Sequence, residues 1–219
     1  MSLLTSGTNV TPLIGARDTG AADAGDIYSV INVPGTPVAG HPAATTFDQT
    51  KAYVYLYNAG AKNVYPVRLR LQLTNAGTAA TTVRFEIVLD KGADRFSSGG
   101  STFAPINVNM ASGSISGVAQ VRVGAVVLAT NTASSRTIGD AFFRNVIGVV
   151  SDTYQIAFGE DVTTPQSAVA SNGTSVYNGT IVLPPCVVPP SGILAIHQWS
   201  TSQSGAYQFD GIQFDYIEA

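Results

Sequence analysis

Strict alternation of apolar and polar residues marks two neighbouring stretches of the chain, residues 67–73 and 83–89. In both, every second position is Val, Leu, Ile or Phe, and most positions between them carry Arg, Gln or Glu. This period of two predicts a β-strand with one face in a core and the other in solvent. Because the turn-like residues 74–77 follow the first stretch, we expect the two strands to pair as an antiparallel hairpin. Their outward faces would then form one charged cluster of Arg68, Arg70, Arg84 and Glu86.

Shorter runs rich in β-branched and aromatic residues predict seven further strands. They cover residues 52–57, 118–129, 141–150, 154–158, 176–183, 193–199 and 207–217. In the last of these runs, Ile212, Phe214 and Tyr216 are expected to share one face. Residues 138–150 are the one candidate for a helix, but their β-branched residues and two glycines favour a strand.

Long polar connections separate the predicted strands, above all residues 91–117 and 160–175. Long connections are needed where a Greek-key chain crosses between two sheets. The absence of a repeat with a fixed period argues against solenoids and propellers. We therefore predict an all-β fold, a two-sheet antiparallel sandwich of the jelly-roll type.

The first part of the chain differs from the rest. Residues 1–48 are rich in Gly, Ala, Thr, Pro and Asp, and only residues 27–31 have the character of a strand. Such a composition buries too little apolar surface to offset its own conformational entropy. The predicted organisation is an extended N-terminal arm over residues 1–48 and a sandwich domain over residues 49–219. The arm either lies across a neighbouring surface or is a loose tail.

Charged residues are scarce, at 11% of the chain against roughly 25% in soluble domains. The net charge is −3 without any basic stripe, which argues against nucleic acid as a partner. No apolar run approaches the length of a membrane span, and the first residues lack the features of a secretory signal. We therefore expect a protein that is made in the cytoplasm, stays in solution and makes no membrane contact.

Residues with catalytic or metal-binding chemistry are few and scattered. Cys186 is the only cysteine and lies in an apolar connector, where a small buried hydrophobe is expected. His41 and His197 lie far apart in sequence, and no carboxylate stands at ligand spacing from either. These observations predict a protein that is not an enzyme and has no cofactor and no metal centre.

Two groups of carboxylates lie on glycine turns, residues 90–94 and the cluster of Asp18, Asp23 and Asp26. Oxygen-rich loops of this kind can hold Ca²⁺, which takes six to eight oxygen ligands. Neither group has the spacing of an EF-hand, so the expected role is an aspartate that caps its own turn. Bound calcium stays an open alternative.

Aromatic side chains offer the remaining candidates for contact with a partner or a glycan. Exposed rings on strands can stack on sugars, although core packing and subunit contacts use the same residues. The candidates are Trp199, Tyr207, Tyr177 and Tyr154.

The end of the chain resembles the jelly-roll virion proteins of tailed bacteriophages, in particular capsid decoration (cement) and head-fibre proteins. The resemblance is carried by residues 181–185, by the proline-led entry to a strand at 189–196, and by a last strand that closes at Tyr216-Ile217-Glu218. It implies a non-enzymatic structural protein of the virion that binds the major capsid protein from outside, as a homotrimer, and stabilises contacts between capsomers. The alternative is a carbohydrate- or receptor-binding module of a head or tail fibre.

Missing charge is distributed unevenly along the chain. The arm and the long loops contain almost no Lys or Glu. A domain that stays free in solution normally spreads charge over all its exposed parts. The uncharged parts are therefore the ones that we expect a partner to cover.

Overall fold

The computed structural model describes residues 21, 24–32, 35–41, 46–75, 81–113, 116–146, 150–159, 169–171, 174–176, 178–200 and 208–219. This part of the chain is nearly all β-structure and forms fifteen strands. The strands are β1 Ile27–Ile31, β2 Val38–Ala39, β3 Lys51–Tyr57, β4 Val64–Asn75, β5 Thr81–Asp90, β6 Phe96–Phe103, β7 Ile106–Asn107, β8 Gln120–Leu128, β9 Arg136–Val146, β10 Thr153–Phe158, β11 Val169–Ser171, β12 Thr174–Val176, β13 Asn178–Leu183, β14 Ile193–Ser200 and β15 Gln208–Glu218.

Two sheets pack face to face, which confirms the predicted all-β sandwich. The seven-stranded sheet has the order β13-β10-β4-β15-β1-β7, with β2 paired to one end of β15. The six-stranded sheet has the order β6-β8-β3-β14-β5-β9, and β11 and β12 form a separate pair. One feature departs from the antiparallel prediction, because β10 and β13 pair in parallel. Parallel partners need a long crossover connection, and residues 159–177 supply it.

Aliphatic and aromatic side chains fill the space between the two sheets. The ring of Phe209 lies 5.1 Å from that of Tyr53 and 6.1 Å from that of Tyr154, measured between centroids. Each buried ring of this size contributes on the order of 1.5–3 kcal/mol to stability. The predicted core face of β15 is confirmed, since three of its side chains are at most 1% exposed: Ile212, Phe214 and Tyr216.

The predicted hairpin of β4 and β5 is wrong, because the two strands lie in different sheets. β4 pairs with β10 and β15, whereas β5 pairs with β14 and β9. The expected charged cluster is therefore divided between the outer faces of the sandwich, with Arg68 and Arg70 on one sheet and Arg84 and Glu86 on the other. Alternation identifies the buried face of a strand, and that face is the same whether the next strand lies beside it or across the core.

Part of the predicted arm belongs to the sandwich. β1, at residues 27–31, lies between β15 and β7, and its side chains Tyr28 and Val30 are buried in the core. β2 pairs with β15, and His41 lies against the backbone of β8, with its Nε2 2.9 Å from the Val126 carbonyl oxygen. Residues 1–20 of the arm lie outside the described part of the chain.

The stretch 91–117, which we expected to be a loop, contains the strand β6. This strand reads FSSGGSTF and has few residues that favour β-structure. Gly99 and Gly100 have φ of +75° and +66°, and the register of β6 against β8 shifts before Ser98 and again between Gly99 and Ser101. A Cβ atom at Gly99 would lie 2.2 Å from the Ala125 carbonyl oxygen, so only glycine allows this close approach.

Candidate functional site

Phe96 to Val121 is a run of 26 residues without a formal charge, and its described residues, 96–113 and 116–121, include the last strand of each sheet on one side of the sandwich. We call it the uncharged edge. It contains β6, the last strand of the six-stranded sheet, and β7, the last strand of the seven-stranded sheet. Only two residues, Ala104 and Pro105, separate these strands, so the chain steps directly from the rim of one sheet to the rim of the other.

The uncharged edge is fastened to the sandwich by buried polar contacts. The backbone N–H groups of Val118 and Ala119 donate to the Glu218 carboxylate, at 2.9 and 3.2 Å. Asn107 donates from Nδ2 to the Gly25 carbonyl at 2.6 Å. Glu218 is only 4% exposed and Asn107 only 5%. These bonds hold the segment in place without any charged group on the edge itself.

Apolar side chains are concentrated on this edge. Ten large apolar side chains are exposed in the described part of the chain, and four of them belong to the edge: Ile106, Val108, Met110 and Val118. Met110 is 97% exposed. Exposed apolar groups that gather in one place, rather than scatter singly, are typical of a surface that another molecule covers.

A groove of about 410 Å³ runs along the edge, between β2 and the bulged part of β6 and β8. Its floor is largely backbone, because Gly100 and Gly124 line it together with Val38 and Phe103. Gly124 has φ of +108°, and a Cβ atom there would lie 2.8 Å from a methyl group of Val38. The groove offers neutral backbone and apolar contacts and has no ionisable side chain in its lining.

The four predicted aromatic contact residues do not form one platform. Tyr154 is 2% exposed, because alternation along β10 turns it into the core. Trp199 is half-buried on the opposite sheet, where the Arg84 guanidinium lies 4.3 Å from the centre of its ring. Arg84 in turn bonds Asp140 at 2.6 Å. Tyr177 and Tyr207 lie outside the described residues.

The aspartates of residues 90–94 have separate hydrogen-bonding partners. Asp94 accepts from the Tyr55 hydroxyl at 2.6 Å and from the Phe96 N–H at 2.9 Å. Asp90 accepts from the Gly92 N–H at 2.9 Å, which confirms the expected turn cap. The described residues contain no group of three or more His, Cys, Asp or Glu that could hold a metal ion.

Asp90, which is 3% exposed, is the centre of a group of polar side chains that we call the Asp90 cluster. Its carboxylate also accepts from three hydroxyl groups of the segment before β9: Thr132, Ser134 and Ser135. Burial alone would raise the pKa of Asp90, but these hydrogen bonds outweigh it and hold the pKa well below its usual range. The Arg95 guanidinium is 3% exposed and lies 3.9 Å from the Asp90 carboxylate. It donates to the Ala129 carbonyl at 2.6 Å.

Residues 46–50 cross the outer face of the six-stranded sheet, and we call them the strap. Under the strap lies His197, which is 1% exposed. Its Nδ1–H donates to the Lys51 carbonyl at 2.8 Å, and the ring of Phe47 packs against it edge-on at 5.2 Å. Its Nε2 is buried and has no hydrogen-bonding partner among the residues that the structure describes. Burial lowers the pKa of His197 to about 4.

Cys186 is partly buried and packs against the core, in keeping with the hydrophobe expected from the sequence. Burial raises the pKa of its thiol to about 12, so the nucleophilic thiolate form is suppressed at neutral pH. Asp26, the described member of the other aspartate cluster, forms an ion pair with Lys62 at 3.0 Å. Asp18 and Asp23 lie outside the described residues.

No protein-family model, no curated protein and no solved structure matches this chain. In the described part of the chain, no helix is long and apolar enough to cross a membrane.

In the sequence, the only sign of the uncharged edge was its lack of charged residues. Its strand β6 gave no signal in the pattern of apolar residues, because its side chains are small and mostly exposed. The Asp90 cluster was missed as well, since Thr132, Ser134 and Ser135 stand more than forty residues from their partner. A run of 26 uncharged residues in a chain with 11% charge was the signal that pointed to the edge.

Proposed function

We propose that this protein is a non-enzymatic structural component of a virion, and that it decorates the outer shell through its uncharged edge. The single observation that supports this most is the edge itself, a neutral surface that carries four of the ten exposed large apolar side chains in the described part of the chain. The resemblance of residues 181–218 to the jelly-roll virion proteins of tailed bacteriophages supplies the kind of partner, the major capsid protein.

The size of the edge supports a role in assembly. Fifteen of its described residues are exposed and five more are half-buried. A stable protein–protein interface uses roughly 20–30 residues on each side. Because none of these residues is charged, binding avoids the penalty for removing unpaired charges from water. Hydroxyl and amide groups on the edge can pair with the partner, and apolar side chains contribute about 25 cal/mol for each Å² that is buried.

The finer parts of the proposal are the jelly-roll topology and a homotrimer. The jelly-roll topology is supported by three crossings of the chain from one sheet to the other, which run from β3 to β4, from β4 to β5 and from β14 to β15. The homotrimer follows from the resemblance. The alternative of a glycan-binding module lacks comparable support, because Tyr154 is buried and one face of Trp199 carries Arg84.

Adding charge to the edge should abolish its binding. We expect the double substitution Ser98→Lys and Ser101→Lys to weaken association with the shell at least tenfold, because two ammonium groups would be desolvated in the contact. Both serines are exposed, so the sandwich should keep its stability. The measurement is co-sedimentation of the purified protein with virions from its source, together with electron microscopy of those virions after antibody labelling.

A control is Thr137→Lys, which adds one ammonium group at an exposed position on β9, the opposite rim of the six-stranded sheet. This variant should bind as the unchanged protein does. Equal binding by the control and the double variant would show that the edge is not the contact. Virions that carry no label would contradict the structural role itself.

A further inference from the structure

Met110 is the most exposed of the large apolar side chains in the described part of the chain. It is 97% exposed, whereas the other nine are between 36% and 57% exposed. A side chain with this exposure makes almost no contact with the sandwich, so core packing does not account for it. Single exposed apolar residues are common on protein surfaces, and exposure by itself assigns no role. The second observation is the structure of the turn that carries this methionine.

The turn around Met110 is defined by two asparagine side chains. The Ser112 N–H donates to the Asn109 carbonyl at 3.1 Å, which places Met110 at the tip of a β-turn. The Asn109 Oδ1 accepts from the Ala111 N–H at 2.8 Å. The Asn107 Oδ1 accepts in the same way from the Asn109 N–H, also at 2.8 Å. Each asparagine bonds the backbone two residues on, and such bonds fix the path of a turn.

The base of residues 107–112, which we call the Met110 turn, is fixed to the segment before β1. Asn107 is 5% exposed and donates from Nδ2 to the Gly25 carbonyl at 2.6 Å. Gly25 has φ of +75°, and a Cβ atom there would lie 2.7 Å from the Ser112 Oγ, so only glycine lets the turn pack this closely. A segment that is held in this way loses little backbone freedom when a partner covers it.

The surroundings of the Met110 turn are electrically balanced. The turn lies within the uncharged edge, and Asp26, next to its base, forms an ion pair with Lys62 at 3.0 Å. Glu218 is 4% exposed and accepts from the backbone of Val118 and Ala119. A partner with a charged surface would lose the hydration of its charges here and gain no unpaired opposite charge. The partner's contact surface is therefore expected to be apolar and uncharged.

Given the function proposed above, on which this inference rests, we propose that Met110 inserts into an apolar recess of the major capsid protein and anchors the uncharged edge there. Methionine suits this role because its unbranched thioether chain adapts to recesses of different shapes, and because it is enriched at interfaces. Ile106 and Val108, which are 56% and 48% exposed, precede it on the same segment and extend the apolar contact. The turn holds the backbone in place, so binding costs mainly the freedom of the side chain.

Substitution of Met110 tests the anchor by co-sedimentation with virions. Met110→Gln keeps the length of the side chain but makes it polar, and should weaken binding at least tenfold. Met110→Leu keeps an apolar side chain of similar volume and should retain binding. The control is Val150→Gln, which replaces a 57% exposed apolar side chain in a turn outside the edge and should leave binding unchanged. Because both positions are exposed, urea denaturation should show the same stability for every variant.

Oxidation of Met110 provides a second measurement that needs no substitution. Hydrogen peroxide transfers one oxygen atom to the thioether sulfur and leaves as water, and the resulting sulfoxide is polar. Treated protein should lose binding as Met110→Gln does. Treated Met110→Leu protein, which still contains Met1, should bind as before. On the virion, Met110 should be oxidised at least tenfold more slowly than in the free protein, as measured by mass spectrometry of the peptide that contains it.

The outcomes separate the anchor from the proposed function. Equal binding by Met110→Gln and the unchanged protein would overturn the anchor and leave the proposed function standing, because the unchanged protein would still bind virions. Failure of the unchanged protein to bind would overturn the proposed function, and the anchor with it. Oxidation of the free protein that slows as its concentration rises would assign the contact to a second copy, and would also overturn the anchor.

Discussion

Replacing Asp90 with alanine should lower the free energy of unfolding by about 4 kcal/mol, the largest loss that we expect from a single substitution away from the hydrophobic core. The carboxylate is buried and accepts hydrogen bonds from three hydroxyl groups and from the Gly92 N–H. Its removal takes away an acceptor that these donors share, at a cost of about 1–3 kcal/mol for each group that water cannot reach. Thr132 is exposed and its hydroxyl keeps the contact with the Ser134 hydroxyl, so its share of this cost is small. It also leaves the buried Arg95 guanidinium without its neighbouring negative charge.

Urea denaturation at pH 7 provides the measurement, with the slope of the transition compared between variants. The control is Asp140→Ala, which breaks the surface pair with Arg84. Because the Asp140 side chain is 39% exposed, this change should cost less than about 1 kcal/mol. Asp90→Asn keeps the shape of the side chain and removes its charge. Its loss of stability should lie between those of Asp90→Ala and Asp140→Ala. A loss at Asp90→Ala no greater than that of the control would show that the cluster does not stabilise the fold.

We expect the free energy of unfolding to fall at acidic pH because of His197, which lies under the strap. The pKa of this residue is lowered to about 4 in the folded protein, against 6.5 in the unfolded chain. The unfolded state therefore takes up the proton first, and stability falls as the pH drops from 6.5 to about 4. The two values imply a loss of about 3 kcal/mol over this window, after which the His197 contribution levels off.

Burial is the main cause of this shift, and the groups around the ring act in both directions. The Lys51 carbonyl and Asp48 favour the protonated form, whereas Arg95 and His41 oppose it. Asp48 accepts hydrogen bonds from the hydroxyl and the N–H of Thr50, which lower its pKa to about 2. The negative charge of Asp48 is therefore lost only at a pH below the range in which His197 lowers stability.

Denaturation at pH 7.5, 5.5 and 4.5 tests the His197 prediction. The substitution His197→Asn keeps a donor for the Lys51 carbonyl but cannot take up a proton in this range, so the slope of stability against pH should flatten between pH 6.5 and 4. The control His41→Asn removes the other imidazole and should retain the slope, because His197 remains. A slope that survives His197→Asn would assign the acid sensitivity to other groups.

Alternation along single strands was enough to predict the core face of β15, and the number of strands with their long connections predicted the two-sheet sandwich. The first of these predictions depends only on which side of a strand is apolar, and Ile212, Phe214 and Tyr216 are all buried as expected. Pairing depends on the neighbour of each strand, which alternation does not report. For this reason β4 and β5 were expected to form a hairpin, although they lie in different sheets.

Two other differences have their causes in composition. β6 was not expected, because Ser, Gly and Thr form a strand there only by pairing with β8, and two glycines adopt a conformation that other residues avoid. Tyr154 was a candidate for surface contact, because the residue type alone does not show whether an aromatic side chain on a strand faces the core or the surface. Its neighbours in β10, Ile156 and Phe158, are buried with it, and their spacing of two was the available clue.

Missing charge located the candidate site better than any motif did. The sequence predicted that uncharged stretches mark contact surfaces, and the described residues of the run 96–121 include the last strand of each sheet. The sequence could not show that β6 and β7 end different sheets, or that Glu218 fastens the segment between them. Those facts depend on pairings across the whole chain.

The position of β14 and β15 affects the order in which the two sheets can form during synthesis. Each lies in the middle of its sheet, β14 between β3 and β5, and β15 between β4 and β1. The bond from Ser29 to Asp215 joins residues that are 186 positions apart. During synthesis, at about 5–20 residues per second, β1 and β4 therefore wait roughly ten seconds or more for the strand that joins them. The six-stranded sheet is therefore continuous only after β14 has left the ribosome, and the seven-stranded sheet only after β15 has done so.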